Sequence, residues 1–219
     1  FMLAFLAMFE PGDRIALTNP GYPPYRHILT ALGCEPVLIE TTAETRFAIT
    51  GDMLRAVHAK KKLAGILIAS PANPTGTMMT PQALADLINV SEELGVKFIS
   101  DEIYHGLDYA FPAVTAAKVS ERAVIINSFS KYFCMTGWRV GWIVAPEPLV
   151  RPIDRLQGNL AISVPTLSQI AAAAAFDGRQ DSDIIQNSLP DIASVGRLVP
   201  NRELPPFDRV GCEQCHGPA

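Results

Sequence analysis

The sequence has no apolar run long enough to cross a bilayer as a helix. Its most apolar opening stretch, Phe1 to Phe9, is nine residues long, whereas a helical span takes about 20. That stretch also has neither the basic leader nor the small-residue cleavage site of a secretory signal. Starting inside such a run, the chain is expected to have lost its true N-terminus. Charge is scarce and balanced, with 18 basic against 22 acidic residues and a net charge of −4. There is no basic stripe, so neither nucleic acid nor an anionic membrane is expected as a partner. The single lysine run, Lys60 to Lys62, closes a predicted helix, where cations suit the helix dipole, and reads as a solvated helix end. Cysteine is rare, with four residues. Cys34 and Cys134 stand alone beside apolar neighbours and are expected to be buried free thiols. With no export signal, the expected location is the cytoplasm, where thiols stay reduced. No internal repeat is present.

What is present is ordinary for a globular chain: 48% hydrophobic and 18% charged residues over 219 positions, enough to bury a real core. Apolar runs alternate with helical stretches. Arg14–Thr18, Pro36–Glu40, Gly65–Ser70, Val96–Ser100, Ala123–Asn127 and Val140–Ala145 read as strands, the continuous ones as strands covered on both faces. Helices are predicted over Pro24–Leu32, stopping at Gly33, and over Asp52–Lys60. A third starts from a Thr80 cap with Pro81 at its first position and ends at Gly95. Two more follow over Glu147–Gln157, which Pro152 should bend or interrupt, and Thr166–Phe176. The expected fold class is α/β, a mainly parallel sheet sandwiched by helices. After Phe176 the pattern dissolves, so residues 1–176 are expected to form the main domain and 177–219 a divergent tail.

Four polar clusters fall just after strands, where ligands sit in an open α/β sheet. They are Tyr22 in N-P-G-Y-P-P-Y, Asn73 in S-P-A-N-P-T-G, Asp101 and Tyr104 in S-D-E-I-Y, and Ser128 to Lys131, S-F-S-K. Singly, each has a structural reading as a turn, a helix cap or a solvated lysine. Together they hold the groups that a pyridoxal-phosphate (PLP) cofactor needs: an amine for its aldehyde, an acid for its ring nitrogen, donors for its ring oxygen, and hydroxyls or a cation for its phosphate. Asp101 and Tyr104, three apart, point to one side if that segment is a helical turn. Arg139 can offer a two-pronged guanidinium to a phosphate.

The segment S-F-S-K-Y-F-C-M-T-G-W-R-V-G resembles the PLP-lysine signature of the class I and II aminotransferases, of fold type I, with N-P-T-G and S-D-E-I-Y upstream in the expected order. This resemblance covers Phe1 to about Phe176. It implies a sheet of the seven-stranded type, incomplete here at both ends. It implies that Lys131 forms the Schiff base and moves the substrate Cα proton, and that Asp101 pairs with the pyridine nitrogen. Asn73 and Tyr104 would donate to the ring oxygen, Ser128, Ser130 and Arg139 would bind phosphate, and Tyr22 would stack on the ring or simply pack in its loop. Cys134 replaces a smaller residue more usual at its position, and no harm is expected. The implied reaction moves an amino group between an α-amino acid and a 2-oxo acid by a ping-pong cycle in a homodimer. Lyase, decarboxylase or synthase chemistry on the same core, or an inactive remnant, are the alternatives.

Two features fit less well. The family's phosphate-binding N-terminal loop and its carboxylate-gripping arginine have no counterpart here: Arg179, Arg197, Arg202 and Arg209 lie in no matching context. Weak PLP binding and little turnover are therefore expected. The tail also carries C-E-Q-C-H, Cys212 to His216, which resembles c-type haem attachment through Cys212, Cys215 and His216. A haem electron-transfer site, a zinc-binding or chance C-x-x-C, and a junction with unrelated sequence compete, and the junction or remnant is preferred.

Overall fold

A computed structural model describes residues 1–176, and the compact unit that carries the features below runs from Phe1 to Ala172. The tail with Cys212, Cys215 and His216 lies outside the described residues. Six strands form one sheet: β1 (Arg14–Asn19), β2 (Glu35–Glu40), β3 (Gly65–Ala69), β4 (Lys97–Asp101), β5 (Val124–Ser128) and β6 (Gly141–Val144). Their order across the sheet is β2-β1-β3-β4-β5-β6. Among the described residues the sheet therefore has six strands, fewer than the seven-stranded type. Each of the six corresponds to an apolar run read from the sequence.

The first five strands are parallel and β6 is antiparallel to β5, with Ser128 facing Gly141. The physical reason lies in the connection. The Phe129–Val140 connection folds back on itself, the Phe129 N–H donating to the Val140 carbonyl at 3.1 Å, and it holds only a short 3₁₀ turn at Thr136–Trp138, not the helix that usually carries a parallel crossover.

Helices α1 (Met2–Met8), α2 (Pro23–Ala31), α3 (Gly51–Lys60), α4 (Pro81–Glu93), α5 (Glu147–Leu160) and α6 (Thr166–Ala175) complete the architecture. Strand residues alternate between two cores, as the period of two demands. Ala16, Ile66, Ile68, Phe98 and Ile125 join Leu54 of α3 and Leu84, Leu87 and Ile88 of α4. Ile15, Leu17, Leu67, Ile99, Val124 and Ile126 join Phe5 and Met8 of α1 and Tyr25 and Leu29 of α2. At the site this parity matters. Asp101 shares the face of Ile99, the α1–α2 face, so it looks toward Tyr25.

Local chemistry sets the helix ends. Thr50 and Thr80 accept from Met53 and Ala83 N–H groups at 3.3 and 3.2 Å, which satisfies otherwise orphaned donors. Gly33 and Gly95, at φ +78° and +68°, end α2 and α4 in the left-handed region that glycine tolerates. Lys61 lies just past α3, where its Nζ pairs with Glu35 at 2.9 Å.

One expectation narrows and another changes. Of the two outcomes expected at Pro152, a bend or a break, the break does not occur: α5 runs through it from Glu147 to Leu160, the missing N–H removing one rung of the ladder. Cys34 is buried, but Cys134 is exposed. Cys134 sits at φ +54° in a turn closed by its own N–H donating to the Lys131 carbonyl at 2.9 Å. Buried Met135 fills the interior position beside it.

Candidate functional site

The carboxyl ends of β1, β3, β4 and β5 open onto a cavity of about 840 Å³, beside the switch where the chain moves from β2 across β1 to β3. Tyr22, Asn73, Asp101, Tyr104, Ser128, Ser130, Lys131 and Arg139 all line it. The four clusters, far apart in sequence, thus share one space. Further walls come from residues that sequence reasoning missed: Phe1, Tyr25, Asn127, Trp142 and, from α5, Asp154 and Gln157.

Asp101 ends β4 and is 4% exposed. One carboxylate oxygen accepts the Ile103 N–H at 3.1 Å, and the other accepts the Tyr25 hydroxyl. Burial raises its pKa above the ordinary carboxylate value, with Glu102 adding to the rise. The Tyr25 hydroxyl and the Ile103 N–H oppose the shift without cancelling it. Tyr25 is pushed well above an ordinary phenol by burial first and then by the Asp101 charge and hydrogen bond, so it stays a donor. Tyr25 is the second tyrosine of N-P-G-Y-P-P-Y, three residues after Tyr22, and the two rings meet edge-on at 5.2 Å.

Tyr104 lies in the turn that follows β4, not in a helix. Its N-terminal neighbours still leave it on the cavity side with Asp101. The Lys131 Nζ stands 5.7 Å from the centre of the Tyr104 ring, within cation–π range. Among the described residues that amine has no hydrogen bond or ion pair, and neither does the Asn73 side chain. Both are available to a ligand.

The loop after β5 is built around Ser128. Its Oγ lies 2.8 Å from the Ser130 hydroxyl and 3.0 Å from the Val140 carbonyl, and it accepts the Ser130 N–H at 3.1 Å. Thr136 Oγ donates to the Ser130 carbonyl at 2.6 Å. With Ser128 facing Gly141 across the sheet, this hub brings Arg139 back beside the two serines. Arg139 takes the left-handed conformation, and its Nη1 donates to the Thr136 carbonyl at 3.0 Å. Ser128→Ala removes the hub, and we expect a loss of about 1–3 kcal/mol in stability from the stranded groups. Urea denaturation of the cofactor-free chain measures it.

Gly106 shows how tightly the lysine turn is held. It sits at φ +90°, and a Cβ there would overlap the ring of Tyr132, the neighbour of Lys131. Gly106→Ala is expected to cost about 1–3 kcal/mol through left-handed strain and overpacking. Adding Tyr132→Ala should recover only the overpacking part, as thermal melts of the single and double variants would reveal.

Chemically, the arrangement presents a primary amine, a buried carboxylate held by two donors with lone pairs left over, free amide and phenol groups, and two hydroxyls beside a guanidinium. A cavity of this size suits a cofactor. The donor set fits a phosphorylated pyridine aldehyde.

The family model described as aminotransferase class I and II matches residues 1–190, beyond the Phe176 at which the signature-based resemblance ends. A valine–pyruvate aminotransferase of Mycobacterium tuberculosis is 49% identical over 199 residues, covering 86% of this chain and 51% of that protein. A (5-formylfuran-3-yl)methyl phosphate transaminase of Methanocaldococcus jannaschii is 34% identical, covering 83% and 46%. The crystal structure of an aminotransferase from Mycobacterium tuberculosis superposes with a TM-score of 0.81 at 48% identity, covering 85% of this chain and 48% of that one. The chain spans about half the length of the curated relatives it matches.

Proposed function

This chain belongs to the class I and II aminotransferase family, and we propose that it binds PLP and moves an amino group between an α-amino acid and a 2-oxo acid by a ping-pong cycle. One observation carries the reading: a buried carboxylate, Asp101, and an amine without a protein partner, Lys131, line the same cavity as the serine–arginine end. When bound, PLP supplies the electron sink that accepts the charge left at a substrate Cα.

The residues divide that work. Lys131 anchors the cofactor aldehyde and afterwards moves the proton at the substrate Cα, as a positioned amine can. Asp101, kept in place by Tyr25 and Ile103, holds the proton on the pyridine nitrogen. Asn73 and Tyr104 donate to the ring oxygen, Tyr22 covers a ring face, and Ser128, Ser130 and Arg139 hold the phosphate. The valine–pyruvate and furan-phosphate relatives act on unlike molecules, so we assign a substrate class and no single amino acid. A homodimer in the cytoplasm with no nucleic-acid partner completes the proposal. No helix among the described residues is long and apolar enough to cross a membrane.

The test is an absorbance spectrum of the purified chain with added PLP, then borohydride reduction and peptide mapping. Label concentrated on Lys131 is the expected result. Label spread evenly over exposed lysines such as Lys60 and Lys118 would sink the proposal. Product analysis with single amino acids then separates transamination from decarboxylation or elimination.

A further inference from the structure

Two loops leave neighbouring strands at the cavity. The one after β3 starts at Ser70 and carries Asn73; the one after β4 is the turn that carries Tyr104. Their backbones meet where the Ser70 N–H donates to the Asp101 carbonyl at 3.4 Å, a long bond that constrains little. The closer tie is a side chain. His105 Nε2 lies 3.0 Å from the Ser70 carbonyl oxygen. A carbonyl can only accept, so Nε2 carries a proton. On its other edge, Nδ1 faces Glu102 Oε2 at 3.4 Å, and the Glu102 side chain is 4% exposed. The second Glu102 oxygen accepts the Ala116 N–H at 2.8 Å. Ser70 also closes its own loop, its Oγ accepting the Met79 N–H at 2.9 Å.

A proton on each nitrogen lets the one ring serve a buried carboxylate and the first carbonyl of the Asn73 loop at once. A buried carboxylate without such a partner is costly, which keeps the ring from turning away. Neither Glu102 nor His105 lines the cavity, so any effect on ligand passes through the loops they join.

We propose that His105, oriented by Glu102, is a positioning residue that clamps the Asn73 loop to the Tyr104 turn and so sets the spacing of the two donors to the cofactor's ring oxygen. It rests on the PLP reading for what the donors hold, but the clamp itself does not depend on that reading. His105→Ala removes the tie. His105→Gln keeps an N–H able to reach the Ser70 carbonyl. His105→Asn is polar but too short to reach, and replaces the alanine variant if that one fails to fold.

Hydrogen exchange of the chain without added cofactor reads the clamp directly. In His105→Ala, residues 70–80 are expected to exchange roughly ten-fold faster while β1 and β3 stay protected, and His105→Gln should restore most of the difference. With PLP bound, the midpoint pH of the visible band reads the donors. Weaker donation to the charged ring oxygen should raise that midpoint by about one unit in His105→Ala and leave it near the parent value in His105→Gln. Unchanged exchange in 70–80, exchange accelerated equally throughout, or a glutamine variant no better than alanine would overturn the clamp. An exchange effect with an unmoved midpoint would overturn its link to the ring oxygen. Absence of any PLP band in the parent chain would defeat the functional reading, with the exchange result still deciding the clamp.

Discussion

Lys131→Ala is expected to abolish the borohydride-fixed label and to slow exchange of the substrate Cα proton by about 10⁴-fold, the contribution of a positioned acid–base group. The fold should hardly notice. The Lys131 amine is exposed and, among the described residues, has only the Tyr104 ring within cation–π range. Such a contact is worth roughly 0.5–1 kcal/mol at an exposed site. Unaltered circular dichroism and a melting temperature close to the parent, together with the lost label, would separate chemistry from folding. Persistent labelling of some other single lysine would mean that the amine has been misassigned.

Asp101→Asn carries the second large effect, and it pulls activity and stability apart. A neutral amide cannot hold a proton on the pyridine nitrogen, so Cα-proton exchange should fall by about 10²–10⁴-fold. Stability should move the other way. Burial raises the Asp101 pKa in the folded chain, so the folded state prefers the protonated acid. That preference stabilises the fold fully below the ordinary carboxylate value of about 4, and the benefit is lost as pH rises through the raised folded value. At pH 7 the cofactor-free parent thus bears a cost, either of burying the charge or of taking up a proton from solution, that the asparagine lacks. The amide also fits its neighbours: its oxygen can accept from Ile103 N–H while its N–H donates to the Tyr25 oxygen, because a phenol both donates and accepts. Melting of the two cofactor-free chains from pH 4 to 8 should show the variant at least as stable at pH 7, with its advantage shrinking toward pH 4. A variant clearly less stable at pH 7 would mean that the carboxylate's hydrogen bonds outweigh its desolvation.

Much of this was legible in the residues because local chemistry wrote it. Thr80-Pro81 starts a helix by its own cap, Gly33 and Gly95 end helices by tolerating positive φ, and G-I-L-I-A alternates across a sheet covered on both sides. Seven of the eight candidate residues were legible for a related reason: they follow apolar runs, and in parallel strands the ends of such runs gather on one edge, which Arg139 reaches from the start of the antiparallel β6. Tyr25 was hidden because its meaning depends on a partner 76 residues away. Glu102, His105 and Gly106 looked like an ordinary turn, since nothing near them in sequence says that Ser70, Ala116 and Tyr132 will arrive beside them.

The sequence by itself determined the strand–helix alternation, the two-sided core and the inventory of an amine, an acid, hydroxyls and a guanidinium, because propensity, capping and period act over a few residues. Only the tertiary structure decided that β6 returns antiparallel, that Asp101 meets Tyr25, and that His105 ties two loops together. Those outcomes depend on which distant surfaces pack, and packing is settled by burial summed over the whole unit, beyond the reach of any local pattern.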